Sequence, residues 1–299
     1  MKRVCSWMAA AGLLISPAAQ AQEVAEFAPS SVWAADYGDD YCRLVRSFRS
    51  GSDEITLMLQ RVQPGSDTQV MVIGNSLKTF RGATEIGWQF LPNQSERKAR
   101  YTRSELADGQ QYLRLDNIMM AAPAAPAPGA PFGPPRYDRA AEKNQAKSIT
   151  GIGFTTGLTK PVRVNTGALD APVEALQACT DDLLASWGLD AEKHKTLSSP
   201  VIVPPGSGWI PTGTIPFSEF GKFAAGGNQI RVMVDPSGKP TSCQIFSPTL
   251  AEALNKKICD LMMTNASFTP AKDAGGQAIA SYWMGSPMFL GPPMAGGRR

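Results

Sequence analysis

The amino-acid sequence predicts an α+β protein in two parts: a mostly antiparallel β domain closed by one helix, then a small ββαβ domain. Short segments of alternating apolar and polar residues fill the first part, and one amphipathic helix follows them. The second part carries one hairpin, one helix and one final strand. The predicted organisation is a signal peptide at 1–21, the β-rich domain at 22–197, a Pro/Gly-rich linker at 198–216, the small domain at 217–291 and a tail at 292–299.

The first residues have the pattern of an export signal. Lys2 and Arg3 precede an apolar stretch, and Ala19-Gln20-Ala21 has the small residues of a cleavage site. The apolar stretch is only about half of the roughly 20 residues that cross a bilayer. We therefore expect cleavage after Ala21, export to the periplasm and a mature chain that does not span the membrane, rather than a retained anchor.

The β-rich domain is predicted from seven segments with strand-like alternation. They are 41–48, 54–62, 69–73, 86–91, 111–118, 149–155 and 161–164. Turn residues at 64–67 and 107–109 separate some of them. The closing helix begins after Asp170-Ala171-Pro172, shows apolar residues near helical spacing, and ends at Gly188.

Two segments lack the composition of a packed core. The stretch 198–216 contains five prolines with several glycines and serines, which predicts an extended linker. The tract 121–135 is mostly Ala, Pro and Gly and is interpreted as a surface loop, with a Pro-rich ligand for a partner as the alternative.

Cysteine usage predicts disulfides. Cys5 leaves with the signal, and the mature chain keeps an even set: Cys42, Cys179, Cys243 and Cys259. In an oxidising compartment four cysteines form two disulfides, for which three pairings exist. We choose Cys42 with Cys179 and Cys243 with Cys259, because each bridge then stays within one proposed domain. A metal site is the alternative, but there is no Cys-x-x-Cys and the only histidine, His194, lies in a polar stretch, so neither a metal nor a cofactor is expected.

The charge balance argues against a nucleic-acid partner. The chain has 29 Lys and Arg against 26 Asp and Glu, and two of the basic residues belong to the signal. A loose basic group, Arg97, Lys98, Arg100 and Arg103, is interpreted as a solvated strand edge rather than a phosphate-binding patch.

The second domain is predicted from a hairpin, a helix and a strand. The hairpin joins 229–234 to 240–246 through Asp235-Pro236-Ser237-Gly238. The helix runs over 249–265 with an apolar stripe that packs on the hairpin. The final strand covers 278–290.

Three motifs of this domain resemble landmarks of the TonB C-terminal domain family. Residues 232–238 (Val-Met-Val-Asp-Pro-Ser-Gly), 268–271 (Phe-Thr-Pro-Ala) and 276–278 (Gly-Gln-Ala) are similar to the family's Val-x-Val-Asp-x-x-Gly, Phe-x-Pro-Ala and Gly-x-Pro-Val, in the same order and with matching spacing. The resemblance covers about 217–291, roughly a quarter of the chain. The pair Cys243 and Cys259 looks like that in a cysteine-containing branch of the family. Residues 22–197 resemble no family that we can name.

The resemblance implies a way of binding. Domains of this family lie in the periplasm and add a short segment of an outer-membrane transporter to their sheet as an extra strand. It implies a partner-binding edge strand at Tyr282, Trp283 and Met284. The alternative is that Tyr282 or Trp283 packs inward on the helix, because strand alternation directs one of them there. A cleavable signal and a folded β domain replace the membrane anchor and Pro-rich rod of an energy transducer, so we do not expect energy transduction by this chain alone.

No catalytic signature is present in the sequence. It lacks Gly-x-Ser-x-Gly, His-Glu-x-x-His and a phosphate-binding loop, and Asp39-Asp40 and Asp181-Asp182 are interpreted as solvated surface. The main hypothesis is a periplasmic binding or scaffold protein of the cell envelope, not an enzyme, whose partner is an envelope protein or a transporter segment. The alternative is an accessory component of TonB-dependent transport. A third hypothesis is a periplasmic hydrolase, in which His194 pairs with a distant serine.

Overall fold

The computed structural model describes residues 23–121, 137–204, 207–219, 229–246, 248 and 250–285. The predicted signal peptide (1–21), nearly all of the Ala/Pro/Gly tract, the end of the predicted final strand and the predicted tail lie outside the described residues.

Ten strands of the first part form one sheet that closes on itself. The order is β1-β10-β9-β6-β7-β8-β5-β4-β3-β2, and β1 also pairs with β3. The strands are β1 (Ala25–Pro29), β2 (Ala34–Gly38), β3 (Tyr41–Ser50), β4 (Asp53–Arg61), β5 (Thr68–Gly74), β6 (Glu85–Leu91), β7 (Arg97–Glu105), β8 (Gln111–Ile118), β9 (Gly151–Phe154) and β10 (Val162–Val164).

The predicted fold class is therefore wrong. The described residues are mainly β, with 40% strand and 21% helix around a closed nine-strand barrel, and do not form an α+β protein made of a sheet closed by one helix and a small ββαβ domain. The closing strand β1 pairs with β10 at Ala25↔Val162 and with β3 at Ala28↔Arg49. Alternation along a strand indicates which face is buried, but it carries no information on whether the two ends of the sheet meet.

The barrel interior is filled by apolar side chains that face one another across neighbouring strands. Leu57 and Leu59 of β4 lie opposite Val72 and Val70 of β5, and all four are buried. Burial of such side chains contributes on the order of 1.5–3 kcal/mol each. This core continues into the helices, because Val173 and other apolar residues of the second helix belong to the same cluster.

The described residues of the first part also form three helices: α1 (Arg139–Ser148), between β8 and β9, and α2 (Asp170–Ser186) and α3 (Ala191–Lys195), after β10. The α2 helix was predicted, and the Cys42–Cys179 disulfide joins it to β3. The α1 helix was not predicted; Asp138 caps it by accepting a hydrogen bond from the Ala141 N–H. Both helices contact the end of the barrel where β3 begins and β4 ends, which we call the helix end. The opposite end, formed by the loops 51–52, 75–84, 106–110 and 155–161, is called the loop end.

A buried ion pair joins α1 to the barrel at the helix end. Arg61 of β4 donates from Nη2 to Glu142 Oε1 at 2.6 Å, and both side chains are almost fully buried. Arg61 also donates to Thr68 and Tyr137, while Gln177 of α2 donates to Glu142. Burial raises the pKa of Tyr137 to about 12. Because every member of this network has a partner, the network closes the helix end without leaving a free charge.

The second part is a three-stranded sheet with one helix and a short ribbon. The sheet has the order β12-β11-β15, and β13 and β14 form a separate two-stranded ribbon. The elements are β11 (Gln229–Val234), β12 (Pro240–Phe246), α4 (Glu252–Asn265), β13 (Ala271–Lys272), β14 (Ala278–Ile279) and β15 (Ser281–Gly285). The Cys243–Cys259 disulfide joins β12 to α4.

The segment 198–216, predicted as a linker, contributes to this second part. Val201, Trp209, Ile210 and Ile215 are buried in its core. The Ile202 N–H donates to the Thr269 carbonyl at 3.0 Å. These contacts fix the segment on the second part. Among the described residues, no helix is both long enough and apolar enough to cross a membrane.

Candidate functional site

The residues predicted to bind a partner all lie on β15, at the edge of the three-stranded sheet. In the antiparallel pairing with β11, Tyr282 is opposite Met233 and Trp283 is opposite Val232, while Met284 pairs with Arg231. Among the described residues, no strand pairs with the other side of β15. An edge strand of this kind presents backbone donors and acceptors to an extended segment.

The backbone of β11 indicates which groups of β15 face outward. Asp235 N–H donates to the Lys239 carbonyl within the hairpin, and the Met233 carbonyl accepts from the Thr241 hydroxyl on β12. Backbone groups alternate in direction along a strand, so those of Val232 are directed toward β15. The N–H and C=O of its partner Trp283 are therefore hydrogen-bonded to β11. We infer that the N–H and C=O of the flanking residues, Tyr282 and Met284, lie at the free edge.

The side chain of Trp283 is partly buried and packs against the core of the second part. Its ring lies 6.0 Å from that of Phe268, which in turn lies 4.6 Å from Trp209. The α4 residues Ile258 and Met262 are buried in the same cluster. Trp283 is thus the member of the predicted pair that packs inward, and truncating it would disturb folding before it disturbed binding.

The side chain of Tyr282 packs on the barrel helices instead. Its ring contacts Trp187, which directly follows α2, edge-on at 5.2 Å, and stacks on His194 of α3 at 6.3 Å. Burial raises the pKa of the Tyr282 phenol above its usual value. Both aromatic side chains predicted at the site pack against other residues of this chain. The groups that the edge presents to a partner are therefore chiefly its backbone N–H and C=O.

His194 connects α3 to the first residue of β15. Its Nδ1 lies 2.7 Å from the Asp190 carbonyl, which can only accept, so Nδ1 carries the proton. Its Nε2 lies 3.0 Å from Ser281 Oγ and accepts from that hydroxyl. Burial lowers the pKa of His194, against the opposing effect of Asp190. Ser281 is the distant serine of the hydrolase hypothesis, but it is only 2% exposed, which hinders access of a substrate to its hydroxyl.

Arg231 also joins the three-stranded sheet to the barrel. Its Nη1 donates to Asp40 Oδ1 at 2.6 Å and its Nη2 donates to Gln244 Oε1 at 2.5 Å. Its guanidinium carbon lies 4.0 Å from the centre of the Trp187 ring. Asp40 also accepts from Gln244 Nε2 at 2.8 Å. The Arg231 charge is therefore compensated in a site where its side chain is 8% exposed.

The interpretation of the acidic pairs as solvated surface needs correction. Asp40 is held by Arg231, and Asp181 accepts from both guanidinium nitrogens of Arg139 at 2.7 and 3.0 Å. Asp181 also lies 3.3 Å from Lys195. Because the Arg231 and Asp40 positions are 191 residues apart, no local sequence pattern could have revealed their contact.

A cleft of about 290 Å³ lies between the end of α2 and the sheet. Its walls are Trp187, Gly188, Leu189, Met233, Val234, Asp235, Thr241, Ser242, Ala280 and Ser281. Within the described part of the chain, the buried Trp187 indole N–H has no hydrogen-bond partner. The cleft lies beside Ser281, the first residue of β15.

Both disulfides are present with the predicted pairing. Cys42 and Cys179 have Cα atoms 5.9 Å apart, and Cys243 and Cys259 have Cα atoms 5.5 Å apart. Two disulfides are compatible with an extracytoplasmic, oxidising compartment. In the part of the chain that the structure describes, no group of three or more His, Cys, Asp and Glu side chains could hold a metal ion.

Comparison with protein-family models, with curated proteins and with solved structures finds no match for this chain.

Proposed function

We propose that the protein is a periplasmic binding protein of the cell envelope, which captures an extended segment of a partner protein on the free edge of β15. The observation that carries the proposal is the unpaired side of β15 in the described sheet. Strand addition draws its affinity from main-chain hydrogen bonds, and the inferred outward groups of Tyr282 and Met284 supply the donors and acceptors.

The fixed position of the sheet supports this proposal. Arg231, on the strand beside β15, is bonded to Asp40, and Tyr282 packs on Trp187. These contacts hold the edge strand against the barrel before a partner arrives. A preorganised edge loses less conformational entropy on binding than a mobile one.

The compartment and the partner class belong to the same proposal. Two disulfides favour an oxidising compartment, and residues 1–21 have the charge and apolar pattern of a periplasmic export signal. The three motifs resembling the TonB C-terminal domain family favour an envelope protein, such as an outer-membrane transporter, as the source of the added strand.

The test is a proline placed at Met284. Proline removes the N–H that we infer to face outward, and an edge strand tolerates such a change because no ladder hydrogen bond is lost. The Met284→Pro variant should stay folded and lose the partner captured from an envelope extract by the wild-type protein. Met284→Ala keeps the N–H and should capture it.

Trp283→Pro is a second control, because it removes an N–H directed at β11 and should unfold the sheet. If a folded Met284→Pro variant captures the same partner as well as wild type does, strand addition at this edge is refuted. An outer-membrane transporter among the captured proteins would favour a role in transport.

A further inference from the structure

The two disulfides differ in how far solvent reaches them. Cys42 and Cys179 are 0% and 4% exposed and belong to the barrel core. Cys243 on β12 and Cys259 on α4 are both partly exposed. A thiolate reduces a disulfide only if it reaches one of the two sulfurs, and exposed disulfides are the ones that act as labile or regulatory bonds. In the folded chain, the second bridge is therefore the one within reach of a reductant.

The α4 helix has few other features that hold it on the sheet. Only two of its 14 residues, Ile258 and Met262, are buried. Two further residues are partly buried against the same core: Leu254 and Leu261. The N-cap residue is Ala251, whose side chain makes no hydrogen bond to the first turn, whereas Ser, Thr, Asp or Asn at this position would satisfy one of the free N–H groups. The disulfide at Cys259 is therefore a major part of the attachment of α4 to the sheet.

The α2 helix differs from α4 in both respects. Its cysteine, Cys179, is buried, and so are seven further residues of the helix: Pro172, Val173, Leu176, Gln177, Thr180, Leu183 and Leu184. Burial of this many side chains holds α2 on the barrel independently of its disulfide. Of the two bridged helices, only α4 combines an accessible bond with a small buried face.

Contacts of α4 extend to the edge strand β15. Cys243 is opposite Val232 of β11, and Val232 is opposite Trp283 of β15, so the three residues form one row across the sheet. Side chains in such a row lie on the same face of the sheet. The buried α4 residues Ile258 and Met262 belong to the core cluster that contains Val232 and against which Trp283 packs. Loosening α4 would therefore remove packing from the face of the sheet that supports β15.

We propose that the Cys243–Cys259 bridge is a redox-sensitive joint. A dithiol reductant opens it in the folded chain and loosens α4 from the sheet, while the Cys42–Cys179 bridge stays closed. The proposal does not depend on strand addition.

The reaction is thiol–disulfide exchange. A thiolate of the reductant attacks one sulfur of the bridge, the S–S bond breaks, and the other sulfur leaves as a thiolate that takes up a proton. The second thiol of the reductant then displaces the attacked cysteine from the mixed disulfide. The chain gains two thiols, and the reductant is oxidised to a disulfide with the loss of two electrons and two protons.

The experiment is timed reduction of the full chain with dithiothreitol in native buffer. Samples are alkylated with iodoacetamide, and mass spectrometry of the peptides reports which cysteines have become free. Cys243 and Cys259 should be alkylated while Cys42 and Cys179 remain bonded. In guanidinium chloride both bridges should be reduced, which shows that the folded structure causes the difference.

Amide hydrogen exchange of the reduced chain measures the release of α4. The Ile258 and Met262 amides should exchange about 100-fold faster than in the oxidised chain, because the chain-entropy model gives a closed loop of this length a stabilisation of that size. The Leu176 and Leu183 amides of α2 should keep their exchange rates.

Two double variants are matched controls. Cys243→Ser with Cys259→Ser should show the fast exchange of α4 without dithiothreitol and no further change when it is added. Cys42→Ser with Cys179→Ser keeps the proposed joint, so dithiothreitol should still accelerate exchange in α4. Reduction of the unmodified chain needs no substitution and therefore tests the proposal even if a variant fails to fold.

Three results would overturn the proposal. The Cys42–Cys179 bridge could be reduced as early as the other, or neither bridge could be reduced in the folded chain. The Cys243–Cys259 bridge could open while the α4 amides keep their protection, so that the bond would not be what holds the helix. The α2 amides could lose protection together with those of α4, which would indicate unfolding of the whole chain.

Discussion

The barrel and the three-stranded sheet differ in how their edge strands are paired. The nine barrel strands close through the β1–β3 pairing, so nearly all of the wall is paired with itself. Among the described residues, the sheet of the second part remains open at β15. The barrel is thus suited to be a rigid support, and the open sheet is suited to bind a strand. Perturbing each region separately tests this division.

The two disulfides should stabilise the two regions to different extents. Cys42–Cys179 links residues 137 apart, and Cys243–Cys259 links residues 16 apart. In the chain-entropy model, removing the first bridge by serine replacements costs about 5 kcal/mol and removing the second costs about 3 kcal/mol. Denaturant unfolding of the two double variants measures both values. A larger loss from the short bridge would contradict this comparison.

Removing one partner of the buried ion pair should break the helix end of the barrel. Glu142→Gln leaves the Arg61 guanidinium without its countercharge in a buried site. We expect a loss of about 3–5 kcal/mol in the free energy of unfolding. Replacing both partners, Arg61→Met with Glu142→Leu, should cost less because no charge is left unpaired. If the double variant loses as much as the single one, the charge is not the cause.

The contact between the two regions should be weaker than either core. Arg231→Ala removes the ion pair to Asp40 and the stacking on Trp187. Hydrogen bonds to charged groups contribute about 1.5–3 kcal/mol each, so we expect a loss of that size together with separate unfolding of the two regions. Lys256→Ala breaks an exposed pair with Asp260 on α4 and should cost less than about 0.5 kcal/mol. Equal losses would show that Arg231 does not join the regions.

Acidification should loosen the same contact to a smaller extent. Burial lowers the pKa of His194 below its usual 6.5. As the pH falls, the unfolded chain therefore binds a proton at His194 before the folded chain does. The contribution of neutral His194 is complete above pH 6.5 and is lost as the pH falls toward the lower folded value. His194 is the only histidine. Subtracting the pH profile of the unfolding free energy of His194→Gln from that of the wild type therefore isolates the contribution of His194. A stability difference between the wild type and His194→Gln that stays constant or shrinks as the pH rises to 6.5 would contradict this assignment.

The sequence predicted those features that depend on local pattern. The α2 helix (Asp170–Ser186) overlaps the helix that was predicted to begin after Asp170-Ala171-Pro172 and to end at Gly188, and the hairpin turns at 235–238 as expected. The cysteine pairing followed once the chain was divided into two parts. Strand alternation also predicted that either Tyr282 or Trp283 would pack inward.

Features that depend on distant contacts were missed. Barrel closure requires Ala28 to meet Arg49 and Ala25 to meet Val162, which no alternation pattern specifies. The α1 helix has only Glu142 and Ala146 buried, so it lacks the apolar stripe from which helices are recognised. The docking of the sheet likewise depends on Asp40, which is remote in sequence from the strands that it contacts.

Amide hydrogen exchange along β15 tests the central claim most directly. In the free protein, the Trp283 amide should exchange slowly because it bonds to β11, while the Tyr282 and Met284 amides should exchange quickly at the open edge. Addition of the captured partner should slow exchange at Tyr282 and Met284 and leave Trp283 almost unchanged. If Met284 is already protected in the free protein, or if the partner binds without slowing Tyr282 and Met284, the edge of β15 is not where the partner strand is added.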